Sequence, residues 1–426
     1  METNDFLGSF AQENVSFATQ IVKTSSVGDN FKTVMIFVES DRFVVTSESA
    51  WETAPGLSSC KVLVVNAETY ATYTKGLLSA WLYDVFCNGF TGDCILVAPA
   101  SSEAKDVTQY TKVTPSGTEN PQELGWYVYN DTSSEYELST DTTVQTGTTY
   151  YEGVTVPGFV DAMQKAYAVL KTYAYHKTVC AGSSTAVTPA YAVALAKLCA
   201  ADEYLSSAPL LPCVASAPAS DPLYTALTEA SQDAFMAWHS DSTHNAALYS
   251  LGLAMSELNG AGLYTGNGMD MIASTNITAS NDGANPTDSQ KTAMKNAKIQ
   301  YFKTVGDNSG SVAAEEGYTL KGNVYSAYWI LAYITYMTKV GVARLLTRRN
   351  FAKNSANYTK ILGVLQNNVN KFVNGGLLTQ ATFNAPAYAA LPETGASEIS
   401  IPKAWSAYYV SHLHKVSITG TLYIGV

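Results

Sequence analysis

The sequence is poor in charge: Lys, Arg, Asp and Glu make up only 14% of its 426 residues. A surface so thinly charged, yet rich in hydroxyls and in 28 tyrosines, suits a protein whose faces are to be covered by other subunits. No Cys-x-x-Cys pair occurs among Cys60, Cys87, Cys94, Cys180, Cys199 and Cys213, which removes the common zinc and dithiol motifs. These thiols sit in apolar contexts such as "CKVLVV" and "AKLCAA" and read as reduced core residues of a protein made in a cytosol. Phosphate-binding loops are missing too. "GLYTGNGMD" and "GYTLKGN" carry neither a Lys-Ser/Thr pair nor a complete Gly-x-Gly-x-x-Gly after a strand, so no cofactor is expected. The opening "METNDFLGSFAQENV" has acids where a secretory leader needs a basic region and an apolar run, so export by that route is not expected. Long apolar runs are scarce. The best, Asn323–Leu346, carries Lys339, several hydroxyls and many tyrosines, and reads as a buried or interface helix rather than a membrane span.

The charge that is present is unevenly placed. The net of -11 argues against nucleic acid as a partner, but residues 1–320 hold 15 basic against 34 acidic side chains while residues 321–426 hold 10 against 2. An acidic bulk with a basic last quarter suggests two faces that meet different partners.

Along the chain, a polar arm is followed by β-rich runs at Val15–Lys23 and Phe31–Ser40. Then come "CKVLVVN", an amphipathic stretch, and "DCILVAPA", a strand, helix and strand that read as a βαβ-like unit. Residues 106–156 turn to short alternating runs of Thr, Tyr, Asp and Gly, the pattern of an exposed β-rich insertion. From Pro157 strands and helices alternate again, which predicts an open sheet with covering helices. Two consecutive helices follow, from about Asn323 to Arg348 and over "SANYTKILGVLQNNVNKFVNGG", the second closed by two glycines. The fold class is therefore α/β in the mixed α+β sense. The organisation expected is an arm over 1–30, a larger α/β domain over 31–310 containing the insertion, and a C-terminal domain over 311–426.

Enzymatic signals are thin. "WHSDSTHN" places His239, Asp241 and His244 within six positions, close enough to ligate a metal if the turn gathers them, which would make the protein a metal-dependent enzyme. The simpler reading is that Asp241, Ser242 or Thr243 caps the following helix and the histidines flank it. "CAGSST" at Cys180–Thr185 lacks nucleophile-elbow spacing. The expectation is no enzyme, with no catalytic residue and no metal ligand. "LPETG" at Leu391–Gly395 looks like a sortase signal, but Lys403, His412, His414 and Lys415 interrupt any apolar span after it, so it reads as a turn.

The final "VSITGTLYIGV" alternates cleanly, with Val416, Ile418, Leu422 and Ile424 on one register, and the arm residues Val15, Phe17 and Ile21 have the same quality. Terminal strands are suited to exchange between subunits, because main-chain hydrogen bonds supply affinity without a large apolar patch.

The order of a long apolar helix, a second helix ending in "NKFVNGGLLTQ", a Pro-containing segment and a closing strand resembles the C-terminal domain of contractile tail sheath proteins of bacteriophages and related injection machines. The resemblance covers about the last quarter of the chain and, weakly, the arm. It implies a helical polymer of identical subunits, stacked as hexameric rings around a tail tube protein. It also implies arms that add strands to neighbouring sheets, and contacts with baseplate and tail terminator proteins, in a virion tail assembled in the bacterial cytoplasm. Contraction of the array would drive the tube through the host envelope, with no nucleic acid bound and no membrane insertion. The same resemblance makes Arg344, Arg348, Arg349, Lys353, Lys360 and Lys371 candidates for a face toward the tube or a neighbour. Other phage or surface-layer structural subunits are the alternative class.

Overall fold

The computed structural model describes residues 33–38, 52–53, 60–73, 76–99, 107–156, 161, 164–165, 177–182, 188–201, 208–256, 273–305, 311–348, 351–391, 401 and 404–409. They form a mixed α+β fold with seven α-helices and four sheets among the described residues.

The first sheet has the order β2–β3–β4–β1–β9. Its strands are β1 (Thr33–Val38), β2 (Glu52–Thr53), β3 (Cys60–Val65), β4 (Asp93–Pro99) and β9 (Lys177–Gly182). β1 lies parallel to both β4 and β9, and Val34–Phe37 are wholly buried, as a continuous apolar run at the centre of a parallel segment should be. β3 pairs antiparallel with β4, Val65 facing Cys94. The expected βαβ crossover is thus corrected. The chain leaves β3, forms α1 (Gly76–Phe86), and re-enters the sheet at the same end, so the intervening helix never carries it back to the start of a parallel neighbour. α1 buries Trp81, Leu82, Val85 and Phe86, and also a single acid, Asp84.

The single open sheet predicted for the middle of the chain is a separate second sheet, β10–β11–β13–β14–β12. It comprises β10 (Leu210–Cys213), β11 (Phe235–Trp238), β12 (Ala273–Ser274), β13 (Gln300–Thr304) and β14 (Val312–Glu315). The first three in spatial order are parallel, and β14 and β12 close the sheet antiparallel. Strand–helix alternation reports that elements alternate, but not which sheet each strand joins. The associated helices are α2 (Pro189–Ala201), α3 (Pro222–Glu229), α4 (Ala246–Ser256) and α5 (Asp288–Ala297). Their starts are encoded locally. Asp221 caps α3 by accepting from the Leu223 and Tyr224 amides with Pro222 in the first turn, and Thr287 with Gln290 forms a reciprocal capping box on α5. One continuous apolar core, from Val34 in β1 to Phe302 in β13, runs through both sheets.

The Tyr-rich stretch forms a four-stranded antiparallel sheet, β5–β8–β6–β7, from β5 (Val107–Lys112), β6 (Tyr127–Asn130), β7 (Glu135–Leu138) and β8 (Tyr150–Val156). Tyr110, Tyr127, Tyr129, Tyr136 and Tyr151 pack against one another across it, the Tyr110 and Tyr136 rings stacking at 3.9 Å. Such cross-strand aromatic pairs hold together strands that have little other core. Gly153 makes room for them: a Cβ there would lie 2.7 Å from the Tyr127 ring.

Candidate functional site in the C-terminal unit

The last quarter builds its own small core. α6 (Tyr325–Leu346) and α7 (Ser355–Asn374) pack together, and the ribbon of β15 (Leu378–Thr382) with β16 (Ser406–Tyr409) lies on them. Ile330 and Ile334 of α6 meet Val369 and Phe372 of α7 and Leu377 and Leu378 of the following segment. The helices come close at Gly341, where a Cβ would lie 2.4 Å from the Val364 Cγ1 methyl. Nearby, Asn368 Nδ2 donates to Thr338 Oγ1 at 3.3 Å between two buried side chains. No helix among the described residues is long and apolar enough to cross a membrane, α6 included.

The two glycines that close α7 have distinct tasks. Gly375 remains helical, while Gly376 takes a φ of 75°, which disfavours any residue with a Cβ. Its amide then reaches the Val373 carbonyl, and the Leu377 amide reaches that of Phe372 at 2.9 Å, the paired bonds of a Schellman turn. Leu377 and Phe372 lie in the same apolar cluster, so the turn aims the chain directly into β15. Tyr358 Oη donates to the Pro386 carbonyl at 2.6 Å and ties the segment after β15 to α7.

The ribbon is antiparallel, Leu378 facing Tyr409 and Thr382 facing Ser406, with a register shift between Thr379 and Thr382 where Gln380 has a φ of 50°. Its inner face, with Leu378, Ala381, Trp405 and Ala407, packs on the helices, whereas Tyr408 is 67% exposed. Among the described residues it has two strands only. A two-stranded ribbon is marginal by itself, and a third strand along either edge would complete it.

The sequence of this unit is strongly biased to positive charge. Between Lys321 and Pro392 the sequence has no Asp or Glu. Arg344 in the last turn of α6, Arg348 just beyond it, Lys353, Lys360 and Lys371 are all exposed. Arg344 and Lys371 sit at helix C-termini, where the helix dipole favours a cation. Lys360 donates to Asn357 Oδ1 at 2.9 Å and its ammonium lies 5.9 Å from the Phe351 ring centre. Arg349 and the strand residues Val15, Phe17, Ile21, Val416, Ile418, Leu422 and Ile424 lie outside the described residues.

The histidine motif resolves differently from either reading of its sequence. The cap of α4 is Asn245, whose Oδ1 accepts from the Ala247 and Leu248 amides at 3.2 Å. The expected caps are thereby corrected: Asp241 instead closes a local turn by accepting from the Thr243 amide and hydroxyl. His239 is buried and its Nδ1 accepts from the Asp241 amide at 3.1 Å, while His244 Nδ1 lies 2.7 Å from Oδ1 of buried Asp84. No group of three or more His, Cys, Asp or Glu side chains among the described residues could hold a metal ion. Cys94, Cys199 and Cys213 are buried and in no disulfide, and burial pushes Cys87 up to about 12. Such thiols are poor nucleophiles near neutrality.

Comparison with known protein families finds no match for the sequence, and neither does comparison with curated proteins. Among solved structures, the chain shares its fold with a chain in the six-fold symmetrised cryo-EM structure of the anti-feeding prophage baseplate. The TM-score is 0.55 at 10% identity, over 96% of this chain and 97% of that one. A sheath tail protein from Listeria innocua aligns over 96% of this chain and 99% of its own, at 10% identity and a TM-score of 0.43, a level that does not by itself establish a common fold.

Proposed function

We propose that the chain is a structural subunit of a contractile injection assembly, polymerising as a sheath around an inner tube. The observation that carries this reading is the β15–β16 ribbon, anchored on α6 and α7 by one face and, among the described residues, paired with no third strand. Two segments of alternating sequence stand at the chain ends to supply one, Val15–Lys23 and Val416–Val426. Strand addition links subunits through main-chain hydrogen bonds that survive large rotations of the rest of the molecule, as a contracting array needs. Contraction would draw its energy from interfaces gained on repacking, with no nucleotide consumed.

The basic helix pair of the C-terminal unit, whose sequence from Lys321 to Pro392 has no Asp or Glu, supports contact with an acidic partner, either the tube protein or the acidic bulk of a neighbouring copy. Arg344, Arg348, Lys353, Lys360 and Lys371 are the side chains assigned to it, with Arg349 by sequence position. Baseplate and terminator proteins would cap the array, placing the protein in a phage or phage-like tail assembled in the host cytoplasm. The fold shared with a baseplate-structure chain favours one alternative, a baseplate component that forms a single ring. Electron microscopy of the purified chain, alone and with its tube partner, separates the two: stacked helical tubes support a sheath, single closed rings support the alternative, and dispersed monomers defeat both. Removing His414–Val426 should leave a folded monomer; unimpaired assembly would refute strand addition by that segment.

A further inference from the structure

The cluster at the start of α4 has no part in the proposed assembly, yet it joins the two halves of the core. Asp84 comes from α1 beside the first sheet, His239 directly follows β11 of the second, and His244 and Asn245 lead into α4. The Asp84 carboxylate accepts from the Asn245 amide at 2.8 Å through Oδ2 and from His244 Nδ1 through Oδ1. It is fully buried, so these two donors hold α1 to the α4 cap. Below them the helices touch backbone to backbone: a Cβ at Gly252 would lie 2.1 Å from the Val85 carbonyl oxygen.

The two imidazoles have opposite requirements. His239 Nδ1 must be unprotonated to accept from the Asp241 amide, which leaves its Nε2 to donate toward Thr278 Oγ1 at 3.3 Å. His244 faces the carboxyl of Asp84, which burial pushes up against the lowering effect of the His244 and Asn245 hydrogen bonds, and it gains from carrying a proton while that group is ionised. The rings meet edge to face at 5.4 Å, so a second proton places two cations side by side, one of them on the buried His239 ring. We propose that Asp84, His239 and His244 form an acid-sensitive latch, closed while the two rings share one proton and opened when both are protonated. Opening breaks the Asp241 turn and frees the α4 cap from α1.

The charged and titratable groups around the cluster are Asp84 and Cys87 from α1 and Asp241 from the loop itself, and the Ala273–Asn281 segment contributes the Thr278 hydroxyl. The titration directions agree with the geometry. Burial, then the His244 charge, pushes His239 below the usual histidine range, and the Asp84 hydrogen bond raises His244 above it. Protection from His239 is thus present above its unfolded-state value of about 6.5 and lost as pH falls through its lower folded value. That from His244 is present below about 6.5 and lost as pH rises through its higher one.

The test is hydrogen exchange of the full chain across about pH 5 to 8, corrected for intrinsic rates, read on the peptide from Ser240 to Leu248. The Asp221-capped α3 amides serve as the reference. Wild-type protection of the α4 start should fall by up to roughly tenfold per pH unit on the acid side while α3 holds. His239→Asn keeps an acceptor near Nδ1 without a titrating ring and should remove the fall. An undiminished fall in that variant, or none in the wild type, overturns the latch. Should H239N not fold, nitrogen NMR of the wild-type rings decides: the His239 titration must coincide with the loss of protection, and non-coincidence overturns it equally.

Discussion

Substituting Gly341 by Ala tests whether the α6–α7 contact is as close as its geometry requires. The added Cβ would lie 2.4 Å from Val364 Cγ1, against 3.4–4 Å for ordinary contact, so about 1 Å must be found. Val364 is β-branched and held near one rotamer in a helix, so its methyl cannot simply turn away. Helix propensity favours Ala by about 1 kcal/mol, and overpacking costs about 1–3, giving a net loss of roughly 0–2 kcal/mol. Val364→Ala alone removes part of a half-buried side chain and costs about 0.5–1 kcal/mol after its own propensity gain. In the double variant the new methyl occupies the space the valine left. The cycle should then show a coupling equal to the relieved overpacking, about 1–3 kcal/mol, the double being close to wild type. Gly363→Ala is the control: nothing lies within 4 Å of its Cβ, so it should stabilise by about 0.5–1 kcal/mol. Urea denaturation gives the free energies, and hydrogen exchange over 325–374 localises them. Strict additivity, or a gain for Gly341→Ala equal to that of Gly363→Ala, would refute the close crossing.

Gly252→Ala should cost more than Gly341→Ala, about 2–4 kcal/mol in the same urea assay, because its Cβ meets the Val85 carbonyl and no side chain can yield. Reversing Arg344 and Arg348 to Glu should cost the monomer no more than about 1–2 kcal/mol, the loss of favourable charge at the α6 C-terminus, but should weaken assembly measured by sedimentation beyond that loss. Raising salt should weaken wild-type assembly in the same direction, and indifference to both changes would remove the electrostatic role assigned to that surface.

Much of the fold was legible because its signals are local. The apolar runs of β1 and β11, the period of α7, the Asp-Pro start of α3 and the Gly-Gly end of α7 each follow from residues a few positions apart. Sheet membership and strand direction were not legible. The return of the chain from α1 into β4 antiparallel to β3 depends on which end of the sheet it re-enters, and periodicity carries no record of that. His244 shows the same limit: its partner Asp84 lies 160 positions away, and the visible clue was an isolated acid in the apolar stretch "LLSAWLYDVF". In the C-terminal unit, the basic side chains and the helix pair could be read from composition and spacing. Gly341 as a point of contact could not, because a glycine inside a helix does not announce what lies opposite.

The most direct measurement is a cryo-EM reconstruction of the assembled protein with side chains traced to both termini. The account predicts a strand from a neighbouring subunit hydrogen-bonded along the β15 or β16 edge, with the basic surface of α6 and α7 against an acidic partner. A polymer whose ribbon edges are closed by the same chain, or left bare, would contradict it.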